Sequence, residues 1–142
     1  MNKLAYPAKY SFLILSIFIL ITNGCIQKDN QAPQITDIQT SSKILAKSDC
    51  IPTYARITAN ITDDSSVKAA ALWYRIGQDQ EFSSTPMQPE IGNRFVATLI
   101  ALDIPGGEYG TLEFYILAED EAGNQSKSQV DTSVQLLPCV AH

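Results

Sequence analysis

LEFYILAEDEAGN, residues 112–124, is the stretch whose reading decides the fold. Leu112, Phe114, Ile116 and Ala118 share one face of a two-residue alternation, and Glu113, Tyr115, Leu117 and Glu119 share the other. That period, rich in aromatic and branched side chains, predicts a strand with one buried face. The second face carries Tyr115 and Leu117, where water would favour polar groups. Asp120-Glu121-Ala122-Gly123-Asn124 then reads as a turn. Gly123 takes a positive φ without steric cost, and Asp and Asn bond their local backbone.

The same pattern extends in both directions from this stretch. Tyr54–Thr62 predicts a strand with Ala55, Ile57, Ala59 and Ile61 inward. Asp63-Asp64-Ser65-Ser66 is a turn, and Val67–Ile76 follows as a strand with Ala70, Leu72, Tyr74 and Ile76 inward. Gln34–Thr40 is a modest strand anchored by Ile35 and Ile38, and Ser41–Asp49 reads as a polar loop. Gly77–Gln80 is a hairpin-like break. Glu81–Gln88 holds a short edge strand, because Pro86 and Pro89 fit only an edge or a loop. Arg94–Leu102 is a strand with Phe95, Ala97 and Leu99 on one face, and Ile104–Glu108 is a loop. Ser128–Leu137 closes the series with Val130, Thr132, Val134 and Leu136 alternating. About seven short strands between turn signals, with no helix, predict an all-β, two-sheet antiparallel sandwich.

The chain has 142 residues, enough for one domain and a processing segment. Its net charge of -5 offers no basic stripe for phosphates, so no nucleic-acid partner is expected. The one histidine, His142, is the last residue, a poor base for a catalytic or zinc site.

Lys3 and Lys9 precede an apolar run, Phe12–Ile21, that ends in Thr22-Asn23-Gly24-Cys25. A basic start, a short apolar core and a small residue before a cut describe an export signal over residues 1–24. The run is shorter than the roughly 20 residues a spanning helix needs. Gly24-Cys25 resembles a lipobox, which implies a lipid-anchored Cys25 and a membrane partner. Thr22 and Asn23 depart from that pattern, so ordinary cleavage nearby and an uncleaved anchor stay open. Each alternative puts the domain outside the cytoplasm. Residues 25–32 then form a tether, 33–139 the sandwich and 140–142 a tail.

Cys50–Val67, Leu72–Arg75 and Phe114–Asn124 together resemble prokaryotic extracellular immunoglobulin-like or fibronectin type III-like modules. The resemblance covers roughly residues 33–139. It implies an immunoglobulin-like sandwich with a structural or adhesion-type interaction role, whose partner is a surface protein or a glycan. Lettering the strands A to G as in that fold puts Cys50 just before B and Cys139 just after G, at one pole. With Cys25 lipidated, a Cys50–Cys139 disulfide is expected in an oxidising compartment.

Two places are candidate sites. The B–C and F–G turns should share the other pole, where the tether with Asp29 and Asn30 also enters. Asp63, Asp64, Asp120 and Asn124 would there offer hard oxygen ligands to calcium, and Asp29–Pro33 resembles cadherin-like modules, which bind calcium at such a pole. The same residues also serve simply as turn formers. Trp73, Tyr115 and Leu117 should face outward from neighbouring strands as a partner-binding face, unless a one-residue slip turns Trp73 into the core or the residues of the second strand merely cover each other. Asn60-Ile61-Thr62 and Asn124-Gln125-Ser126 match the short glycosylation acceptor. No nucleophile elbow, phosphate loop, HExxH or CxxC is present, so an enzyme is not expected. A calcium- or carbohydrate-binding module is the alternative function, and a small hydrolase the alternative of another class.

Overall fold

The computed structural model describes residues 29–47, 52–106 and 109–138. The strands are β1 (Gln34–Thr40), β2 (Ile44–Ala46), β3 (Tyr54–Thr62), β4 (Val67–Ile76), β5 (Ser83–Pro86), β6 (Gln88–Pro89), β7 (Arg94–Ile100), β8 (Gly110–Asp120), β9 (Gln125–Lys127) and β10 (Asp131–Leu137). They form two packed sheets. One has the order β1-β3-β7-β6; the other has the order β2-β10-β8-β4-β5, with β9 also on β8. The described residues form an all-β sandwich. Its central strands β3, β4 and β8 obey the alternation read from the sequence.

The core lies between the sheets. β3 contributes Ala55, Ile57, Ala59 and Ile61, β4 contributes Ala70, Leu72, Tyr74 and Ile76, and β8 contributes Leu112, Phe114, Ile116 and Ala118. β7 and β10 add Ala97, Leu99, Val134 and Leu136. In β1, Ile35 and Ile38 both pack on this core although their spacing breaks the two-residue period. A bulge reconciles them: the register with β3 shifts between Thr36 and Gln39, and Asp37 sits at φ 51°. Aspartate tolerates that conformation better than most side chains. Here the Asp37 carboxylate also accepts from the amides of Gln39 and Asn60.

Four expectations need correction. The loop assigned to Ser41–Asp49 contains β2, parallel to β10, with Leu45 and Ala46 consecutively buried. Three residues are too few to show a period. The final strand is not continuous either. The β8 partners run Leu117↔Lys127, then Phe114↔Asp131, then Leu112↔Val134, two successive one-residue slips. At the break the Ser128 hydroxyl accepts the Ile116 N–H at 2.9 Å, and the Ser128 N–H donates to the Ile116 carbonyl at 2.9 Å. Val130 is consequently 47% exposed and Thr132 faces solvent.

The edge segment splits between sheets. Ser83–Pro86 pairs with β4, Gln88–Pro89 pairs with β7, and Met87 is buried between them. Finally, the strand read as Arg94–Leu102 stops at Ile100, where a 3-10 turn over Ala101–Asp103 tucks Ala101 inward.

The two ends of the sandwich differ. At one end the turns after β3 and β8 meet: Val67 pairs with Asp120, and the Glu121 N–H donates to the Ser66 carbonyl at 3.3 Å. At the other end β2 and β10 finish side by side, Ala46 opposite Leu137. Cys25, Cys50 and Cys139 lie outside the described residues.

Candidate functional site

The acidic end is built from three segments. Asp63 opens the turn after β3, and its Oδ1 accepts from the Ser65 N–H (3.0 Å) and hydroxyl (2.7 Å). Asp64 follows, and its Oδ2 accepts from the Gln31 side-chain amide at 2.9 Å. Asp29 comes from the tether, with its Oδ1 accepting the Gln31 N–H at 2.9 Å. Ligand oxygens of Asp29, Asp63 and Asp64 fall within 4.8 Å of one another. Asp29 Oδ2 and Asp63 Oδ2 are buried without a hydrogen-bond partner. Desolvation by its neighbours and then the charges of Asp29 and Asp63 raise the carboxyl of the exposed Asp64 above its ordinary value.

The set expected from sequence therefore divides. Asp63 and Asp64 join Asp29, whereas Asp120 and Asn124 engage each other. Asp120 ends β8 on its inward-facing side with no exposed surface, rather than standing in the turn. It accepts the Asn124 backbone N–H at 2.8 Å and the Asn124 side-chain amide at 2.7 Å. Burial would raise this carboxyl, but the Asn124 amide and the backbone N–H groups of the turn outweigh it and hold the group below the ordinary value. Gly123 supplies the turn's positive φ of 88°.

The Asn124 side chain has a second role. Its other amide N–H is shared between the backbone carbonyls of Gln31 (3.0 Å) and Asp29 (3.3 Å). The tether is thereby clamped to the turn, and this is what delivers Asp29 to Asp63 and Asp64. Glu119 is committed elsewhere: it pairs with Lys68 and accepts from Gln125 at 2.7 Å. That lowers the Glu119 carboxyl and raises the Lys68 ammonium through the shared hydrogen bond first and its Coulomb attraction as well.

The aromatic face lies on the outer side of the other sheet. Trp73 and Tyr115 are cross-strand partners, and Leu117 follows on β8, so all three point away from the core and are half-buried. The Trp73 and Tyr115 rings are parallel within 1° with centroids 6.1 Å apart. Phe82 meets Tyr115 edge-on at 5.0 Å. The Arg75 guanidinium sits 4.4 Å from the Phe82 ring, and the Lys127 ammonium 3.8 Å from that of Tyr115. Glu113 fixes Arg75 through its Nε (2.9 Å) and Nη2 (2.6 Å). The Trp73 Nε1–H is buried without an acceptor.

Sequence reasoning did not single out Phe82, Arg75 and Lys127. Phe82 precedes an edge strand without periodicity, and Lys127 reaches Tyr115 only through the short pairing of β9. Gln31 was likewise missed at the acidic end, where only a long-range contact marks it. No model of a known protein family matches the chain, and no curated protein matches it significantly.

Proposed function

We propose that this chain is an exported, lipid-anchored immunoglobulin-like module with a structural or protein-interaction role at the cell surface, without catalysis. The observation that carries this reading is the clamp of Asn124 on the carbonyls of Asp29 and Gln31. A tether fastened to its domain a few residues after Cys25 gives the anchored molecule a fixed stance. A freely jointed linker would give none. The strand order β1-β3-β7-β6 against β2-β10-β8-β4-β5 supports the immunoglobulin-like assignment. In that order β1, β3, β7 and β6 stand where A, B, E and D would, and β10, β8 and β4 where G, F and C would. The acidic end then faces the membrane.

Metabolic labelling with palmitate tests the anchor. The wild type is expected to carry label and sediment with membranes, and Cys25→Ala to lose both. Label retained by Cys25→Ala would overturn the lipid anchor.

A second reading is favoured by the two unpartnered buried oxygens of Asp29 and Asp63: calcium held by Asp29, Asp63 and Asp64. A carboxyl whose folded pKa is raised contributes stability at low pH, and that contribution is lost as pH rises through its folded value. A cation would supply at neutral pH what the proton supplies in acid. Added calcium is therefore expected to raise the melting temperature at pH 7, by less as the pH falls toward the carboxylate range, and not at all in Asp63→Asn/Asp64→Asn. An unchanged melting temperature across a calcium titration would dispose of the site.

The Trp73 face contributes less to this proposal than its composition suggested. Its rings stack on each other, and its own cations cover Phe82 and Tyr115.

A further inference from the structure

The outer side of the other sheet carries a different chemistry. Along β3 the outward residues are Tyr54, Arg56, Thr58 and Asn60, opposite the buried Ala55, Ile57 and Ala59. Two hollows lie over this row. One, of about 430 Å³, is lined by Pro52, Tyr54 and Arg56 among others. The other, of about 220 Å³, is lined by Gln39, Arg56, Thr58, Glu90 and Arg94 among others. Both include Ser41 and Arg56, so they adjoin there and follow one another along a groove from Tyr54 toward Arg94. Asn60 is the register partner of Arg94, and the step from Tyr54 to Asn60 covers roughly 20 Å of strand at about 3.3 Å per residue. That is room for several sugar rings.

The groove's side chains differ from those of the rest of the molecule. Tyr54 is 54% exposed. Glu90 orients the Arg56 guanidinium at 2.6 Å while that side chain stays 49% exposed, which leaves further N–H donors for a ligand. Arg94 forms no salt bridge among the described residues. With Glu90 offsetting Arg56, Arg94 leaves this lining with a net excess of one positive charge, on a chain whose net charge is -5. Thr58 and Gln39 add a hydroxyl and an amide.

We infer that this groove binds an acidic carbohydrate, an oligosaccharide bearing carboxylate or sulfate groups. A sugar ring stacks its C–H face on an exposed tyrosine, and its anionic group takes the paired N–H donors of a guanidinium. The groove lies along β3, whose flanks are already paired with β1 and β7, so a peptide lying in it meets no free edge of β3. The site stands apart from the acidic end and the Trp73 face, and it is independent of how the chain is anchored.

Calorimetric titration of the purified protein tests it, with an oligogalacturonate, a sulfated oligosaccharide, neutral maltohexaose and oligoglutamate as probes at low salt. At least one acidic oligosaccharide is expected to bind, and to bind less tightly as salt is added. Tyr54→Ala and Arg94→Ala should each weaken it by roughly tenfold, with an unchanged melting temperature because both side chains leave the core untouched. Trp73→Ala should leave the affinity where it was. The inference is overturned if neither acidic oligosaccharide binds, or if binding survives the Tyr54→Ala/Arg94→Ala double substitution. Equal or tighter binding of oligoglutamate or maltohexaose overturns it as well.

Discussion

Phe114→Ala is expected to cost about 3–5 kcal/mol of folding stability, the range for truncating a buried aromatic side chain. Phe114 is the largest fully buried side chain among the described residues, and it sits mid-way along β8. Its register partners are Tyr74 on one side and Asp131 on the other, so three strands meet around it. Alanine there removes the ring's burial and leaves a void between the two sheets. The adjacent backbone is hydrogen-bonded on both flanks and cannot close over the void. Against a total stability of about 5–15 kcal/mol for a small domain, that loss is severe.

Urea unfolding followed by Trp73 fluorescence gives the measurement, since the single indole packs on Tyr115 only in the folded sheet. Tyr115→Ala, one residue on, is the internal comparison. Its ring lies on the outer face against Trp73, Phe82 and Lys127, and its loss should cost about 1–2 kcal/mol. Equal costs at positions 114 and 115 would mean that β8 does not have one buried and one outward face.

How much of this was legible depends on whether a feature is carried by a period or by a single distant contact. The ends of β3 and β4 coincide with those read from sequence, Tyr54–Thr62 and Val67–Ile76. Both strands are long, with four inward apolar positions each, and the Asp63–Ser66 turn separates them. The Asp120–Asn124 turn was legible for the same reason: Gly123 and its acidic neighbours suit one local geometry. β2 was not, because its three residues are held by a parallel pairing with β10. The break between β9 and β10 was hidden as well. A serine hydroxyl replaces a ladder contact there, and Ser128 looks like any polar residue of a strand.

At the acidic end the sequence pointed to Asp63 and Asp64 but could not separate them from Asp120. That separation rests on Asp120 being withdrawn into the core line of β8 and closed by Asn124. Of the groove only one row was legible, the alternation over Tyr54–Thr62 that sets Tyr54, Arg56, Thr58 and Asn60 on one face. Tyr54 and Arg56 share one strand, but Glu90 and Arg94 reach them only through the pairing of β7 with β3.

Reduction of the protein is expected to lower its stability by up to about 4–5 kcal/mol, because a Cys50–Cys139 bridge would close a loop of about 90 residues. The described flanks of both cysteines support the pairing. Ala46 and Leu137 are adjacent on parallel strands, where neighbouring chains run about 4.8 Å apart. The Ala46 N–H donates to the Pro52 carbonyl at 2.9 Å, so the chain returns to this corner immediately after Cys50. Cys139 follows Leu137 by two residues, a reach of about 7 Å at most. The α-carbons of a disulfide need to approach only to about 4.4–6.8 Å.

The chain-entropy treatment gives the upper end of the effect, since it assigns the whole benefit to a restricted unfolded state. Intact mass before and after reduction and alkylation detects the bridge, and paired melts with and without reductant measure its effect. Cys50→Ala/Cys139→Ala should melt where the reduced wild type melts and should ignore reductant. A wild type indifferent to reductant, with two alkylatable thiols, would sink the bridge. Should it form, the sandwich is fastened at both ends: by the Asn124 clamp where the tether joins, and by a covalent bond at the end that faces away from it. Such a module would resist being pulled open from an N-terminal anchor, the mechanical property that the proposed surface role would require.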